Sequence, residues 1–132
     1  MKGYVIYADL FGCEKLVEKS LDSFNMIIEA ITAAGMRSVF SVSELFPKAR
    51  FDSNSGVSVM TLIIPLTESH CCLHTWPEEG NLTCIDLFTC GDHMKAHRAV
   101  ELLIEKLRPA ETRVVAFERG LPVGDEELFH VK

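Results

Sequence analysis

Between Thr67 and Cys90 the sequence gathers groups that can move protons, hold metals or attack carbonyls: Glu68, Ser69, His70, Cys71, Cys72, His74, Glu78, Cys84, Asp86 and Cys90. A metal centre is one chemistry to weigh, because His70 and His74 are four residues apart with thiols close by. In an extended strand, however, four residues span about 13 Å, too far for two imidazoles to share one ion without a sharp bend. His93 and His97 would share a helix face but have no evident further ligand, so no metal is expected. A thiol nucleophile is the second chemistry, with Cys90 or Cys84 activated by His74 if the fold brings them together. Spacing alone leaves that open beside the plainer role of a buried thiol near a hydrogen-bonded histidine.

The elements that must position these groups are legible in the pattern. Tyr4 to Phe11 is β-branched and aromatic and reads as a strand ended by Gly12. Leu21, Phe24, Ile27, Ile28 and Ile31 recur at helical steps, with Ser20 as a cap and Gly35 as a stop. Ser38 to Phe46 and Val57 to Leu66 read as strands around a polar loop, and Cys72 to Trp76 and Leu82 to Thr89 as a hairpin-like pair joined through Pro77–Gly80. A second helix is expected from His93 to Leu107, supported by Met94, Val100, Leu103, Ile104 and Leu107 and stopped by Pro109. Thr112 to Glu118 supplies a last strand, and the residues after Arg119 read as a loose tail. This order favours an α+β fold, a two-layer α/β sandwich with a mainly antiparallel sheet and helices packed on one face. The other face of the sheet then needs a cover, such as a second copy of the chain or a long loop.

Composition narrows the partners. The chain has 132 residues, 48% hydrophobic and 24% charged, which suits one globular domain. Thirteen basic residues against nineteen acidic ones give a net charge of −6, with no Lys/Arg stripe for nucleic acid. Apolar runs are too short for a membrane span, and the N-terminal residues do not read as a secretory leader. Five cysteines without CxxC spacing read as thiols in a reducing compartment, so a cytoplasmic location is expected.

Three ordered stretches, Glu68-Ser69-His70, Leu73-His74-Thr75-Trp76-Pro77-Glu78 and Ile85-Asp86-Leu87-Phe88-Thr89-Cys90-Gly91, closely resemble the small prokaryotic class of S-adenosylmethionine decarboxylase proenzymes. Weaker likeness covers most of the chain, including the Leu10-Phe11-Gly12-Cys13 element, the Phe46-Pro47 pair and Phe117-Glu118-Arg119-Gly120. The resemblance implies self-cleavage between Glu68 and Ser69 into chains 1–68 and 69–132, with a pyruvoyl group generated from Ser69. It implies that His74 serves processing, that Cys90 is the catalytic proton donor, that Glu78 meets the substrate ribose and that Phe46 stacks on adenine. It also implies a two-layer sandwich that forms a homodimer. The processing hydroxyl of the family's Gly-Val-Ser-Gly stretch matches either Ser58, by wording, or Thr61, by counting back from Ser69. Cys71 stands where the family commonly carries a larger apolar residue near the adenine.

Each implied role has a chemical reason. The Ser69 hydroxyl can attack the Glu68 carbonyl and convert the amide to an ester; β-elimination and hydrolysis then leave a pyruvoyl cap on the new chain. An amide nitrogen leaves poorly, so the turn must strain or polarise the bond. The pyruvoyl ketone forms a Schiff base with the substrate amine and accepts electrons as CO₂ departs, and a general acid at Cys90 returns a proton. The expected substrate is S-adenosylmethionine, supplying aminopropyl groups for spermidine synthesis. A basic amino acid such as arginine or ornithine is the alternative substrate, and an uncleaved, non-catalytic homologue is a third reading.

Overall fold

The computed structural model describes residues 2–14, 20–39, 42–45, 60–122 and 129–131. Among these residues seven strands form one sheet: β1 Gly3–Phe11, β2 Val42–Leu45, β3 Met60–Leu66, β4 Ser69–Trp76, β5 Leu82–Thr89, β6 Glu111–Arg119 and β7 Phe129–Val131. Their spatial order is β2-β3-β4-β5-β1-β6-β7, and every pairing is antiparallel. The helices α1 Ser20–Ala33 and α2 His93–Leu107 pack together over one face.

Alternation along the strands builds the core. Ile6, Ala8 and Leu10 of β1 face the helices together with Leu62 and Ile64 of β3, Cys71 and Leu73 of β4, and Ile85 and Leu87 of β5, all essentially closed to solvent. Ile27 and Ile31 of α1 and Leu103 and Leu107 of α2 close this layer from above. The buried stripe of α2 runs through Ala96, Ala99, Val100, Leu103 and Leu107, whereas Met94 is exposed because it precedes that stripe in the first turn. Asp92 caps α2 by accepting the Met94 N–H at 2.9 Å. Arg108, in the left-handed region at φ 49°, ends it.

The α+β sandwich with helices on one face is as expected, with differences at the ends of elements. The strand expected over Ser38–Phe46 runs over Val42–Leu45 among the described residues, preceded by one bridge between Ser38 and Leu66. The expected loose tail contains β7, which pairs with β6 from Val115–Val131 to Phe117–Phe129. The acidic and Gly/Pro-containing stretch before it obscures a three-residue strand that local pattern is too short to reveal.

The opposite face of the sheet carries a different population. His70, Cys72, His74 and Trp76 of β4 alternate with the buried set, as do Cys84, Asp86 and Phe88 of β5 and Tyr7, Asp9 and Phe11 of β1. Neither helix covers this face, and Tyr7, Phe11 and Ile63 are about two-fifths exposed on it, each between 38% and 42%.

Candidate active site

The β3–β4 hairpin is closed by only two residues, Thr67 and Glu68, with Leu66 paired to Ser69. Two-residue hairpins favour residues that accept positive φ, yet neither Thr67 nor Glu68 adopts it. The distortion falls on the next residue: Ser69 has φ 154°, a value an L-residue rarely takes. Such backbone stores on the order of 1–3 kcal/mol, placed here at the Glu68–Ser69 bond.

That bond is also polarised. The backbone N–H of Cys90 donates to the carbonyl oxygen of Glu68 at 2.8 Å, a donor aimed at the oxygen on which negative charge would collect during attack by a hydroxyl. Gly91 makes this approach possible, since a Cβ there would stand 2.9 Å from Cγ of Glu68. The Thr67 hydroxyl donates to the Glu68 carboxylate at 2.7 Å, and the Cys90 side chain is exposed. Glu68, Ser69 and Cys90 therefore meet at one end of the sheet.

The remaining groups meet at the other end. His74 lies on the open face, its Nδ1 3.1 Å from Oγ1 of Thr61 on β3, with its ring 5.9 Å from the Trp76 ring. Glu78 follows in the short 3-10 turn Pro77–Glu79, where its Oε2 is buried without a hydrogen-bond partner. His74 and Ser69 sit on the same strand five positions apart, about 16 Å at ~3.3 Å per residue. One chain thus brings Ser69 to Cys90, and Thr61 to His74, but does not bring His74 to Ser69. Phe46 and Ser58 lie outside the described residues.

The thiol-nucleophile reading meets a specific obstacle. Cys84 stands directly across from His74 in the β4–β5 register, as that reading requires. Burial and a hydrogen bond to the Asp9 carboxylate nevertheless push its thiol up to about 12, so it stays protonated and poorly nucleophilic near neutrality. Burial likewise pushes Cys71 up to about 12. All five thiols are unpaired.

Sequence reasoning expected the turn to strain or polarise this bond but did not place the distortion at the Ser69 φ or the donor at the Cys90 N–H. Both are backbone features, and the single available signal was the Cys90-Gly91 pair, a small residue where another chain segment comes close.

Comparison with known proteins identifies the family. The family model described as S-adenosylmethionine decarboxylase matches residues 4–120. An S-adenosylmethionine decarboxylase proenzyme of Archaeoglobus fulgidus is 36% identical over 119 residues, covering 89% of this chain and 97% of that protein. One of Thermomicrobium roseum is 32% identical over 123 residues, covering 92% and 96%. The crystal structure of the adenosylmethionine decarboxylase from Aquifex aeolicus superimposes with a TM-score of 0.77 at 30% identity, covering 92% of this chain and 93% of that one. On the family match over residues 4–120, these relatives and the shared fold, the chain belongs to the S-adenosylmethionine decarboxylase family.

Proposed function

We propose that this protein cleaves itself at Glu68–Ser69 and then decarboxylates S-adenosylmethionine. The observation that carries the reading is the Glu68 carbonyl, held by the Cys90 N–H at 2.8 Å beside a serine whose φ is 154°. Membership of the family favours S-adenosylmethionine over arginine or ornithine, and a strained, polarised serine bond argues against an uncleaved, non-catalytic role.

The residues of this turn fit a pyruvoyl group made from Ser69: the hydroxyl is in the chain, and the carbonyl it must attack has a donor in place. Once formed, that group would serve as the electron sink for loss of CO₂. Cys90 brings two functions to it, a backbone N–H for processing and a side-chain thiol for proton delivery at the same end of the sheet. Thr61 holds the imidazole of His74 through Nδ1, leaving Nε2 as the atom to relay a proton. Glu78, with an unpartnered carboxylate oxygen, is suited to the two hydroxyls of a ribose.

His74 reaches Ser69 only from a second copy. A two-fold pairing of open sheet faces whose axis runs across the strands sets the Ser69 end of one β4 against the His74 end of the other, and does so twice by symmetry. The same pairing covers Tyr7, Phe11 and Ile63. A homodimer with two shared sites is therefore the form we assign to the enzyme, working in the reducing cytoplasm with its thiols free and supplying aminopropyl groups for spermidine.

Reductive trapping tests the substrate. Purified protein is incubated with S-adenosylmethionine, arginine or ornithine plus a borohydride, and the masses of its chains are measured. Attachment of S-adenosylmethionine to chain 69–132 is expected. Attachment of arginine or ornithine instead would overturn the assignment.

A further inference from the structure

Tyr4 touches both ends of the three-residue loop that carries Cys90. In the sheet it is paired with Thr89, the last residue before the loop. Its ring packs on His93, the first residue after the loop, at 5.1 Å between centroids, and on His97 one turn further at 5.4 Å. Its hydroxyl lies 2.8 Å from Nε2 of His97. Tyr4 is 93% closed to solvent and Thr89 is 99% closed, both values following from relative exposures of 7% and 1%. A single buried side chain thus ties the start of α2 to the end of β5.

The loop between these ties has little freedom left. Thr89 Oγ1 accepts the Gly91 N–H at 3.0 Å, and Asp92 caps α2 through Met94. Those bonds are local to the loop and the first helical turn, so the seat of α2 on the sheet is set by its buried stripe and by Tyr4. Movement of the helix start would carry Cys90 with it, and hydrogen bonds weaken steeply as distance and angle change. Beside the packing of the buried stripe that begins at Ala96, the Tyr4–His97 bond is a directional contact that opposes that movement.

The geometry points to Tyr4 and His97 as positioning residues for self-cleavage, holding the Cys90 N–H on the Glu68 carbonyl oxygen. The inference rests on the reading that this N–H polarises the scissile carbonyl. Burial and Glu118, paired with Tyr4 from β6, push the phenol up, so it remains a protonated hydroxyl. It can donate to a neutral His97 or accept from a charged one, and the tie persists in either state.

The test follows cleavage of the full chain on gels after a pulse of cell-free synthesis. Amide exchange at Cys90 is measured in parallel in the uncut Ser69→Ala background. Tyr4→Phe and His97→Ala should each slow cleavage about 2- to 10-fold, the worth of one hydrogen bond, and should speed exchange at Cys90. The double variant should be no slower than either single one, because both remove the same bond. His97→Gln, which keeps a polar group within reach, should recover most of the rate. Because His97 is only half-buried, its variants keep the test intact if Tyr4→Phe fails to fold. Parent cleavage rates with unchanged exchange would overturn the positioning role. Faster exchange with parent cleavage would instead overturn the polarising role of the Cys90 N–H, and the inference with it. Slower cleavage with unchanged exchange and a matching loss of thermal stability would reduce the pair to packing.

Discussion

Ser69 and His74 occupy one strand, five positions apart, with Ser69 at the hairpin and His74 held by Thr61 near the other end. If both act on one bond, the second group comes from another chain. Mixing an uncut Ser69→Ala chain with a His74→Ala chain should therefore restore cleavage, and only the His74→Ala chains should be cut. Each hybrid pair contains one site with both Ser69 and His74. Failure of co-expressed chains to complement, with mixed dimers confirmed by mass, would contradict the shared site.

Thr61, and not Ser58, should be the hydroxyl that matters to processing. It bonds the His74 imidazole at 3.1 Å, so Thr61→Val should slow cleavage about 2- to 10-fold, while Ser58→Ala leaves it near the parent rate. Gel densitometry over time measures both. The reverse ranking would return the role to Ser58.

Cys90 and Cys84 should separate cleanly. Cys90→Ala retains its backbone N–H, so cleavage should proceed while turnover falls on the order of 10²- to 10⁴-fold, the usual worth of a positioned general acid. Cys84→Ala removes a protonated thiol bonded to Asp9 and should alter stability more than turnover. Released ¹⁴CO₂ reads turnover, and a denaturant midpoint reads stability. Equal losses of both in the two variants would make Cys90 structural.

The strands and α2 were legible because each carries a local physical signal: β-branched runs for β1 and β5, a 3-to-4-residue stripe and a following proline for α2. Helices on one face followed from the order of the elements along the chain. The division of the site did not follow, although the strand arithmetic that separates His70 from His74 also separates Ser69 from His74. Motif wording groups residues by order along the chain, whereas an antiparallel hairpin places neighbours in order at opposite ends of a sheet. The Cys90 N–H and the Tyr4–His97 tie depend on how α2 seats on the sheet, which local spacing does not encode. β7 was hidden for a related reason: its three residues gain their conformation from β6.

Alkaline pH should destabilise the fold through the thiols of Cys71 and Cys84. Cys71 and Cys84 are both pushed from 9.0 up to about 12 in the folded chain. Above the unfolded value the unfolded chain gives up these protons while the folded chain keeps them, so stability falls as pH rises. The contribution is fully present below about 9 and is lost as the pH climbs toward about 12. Urea midpoints across that window should drop in the parent and drop less in Cys71→Val. Parallel curves would show that Cys71 does not contribute.

The mass of the purified protein's chains tests self-cleavage at Glu68–Ser69 most directly. The account predicts two chains, 1–68 ending in an unmodified Glu68 carboxyl and 69–132 lighter by one ammonia than a chain beginning with serine, and a single uncut chain in Ser69→Ala. A parent protein that stays one chain of 132 residues, or a 69–132 chain that keeps a free serine amine, would contradict it.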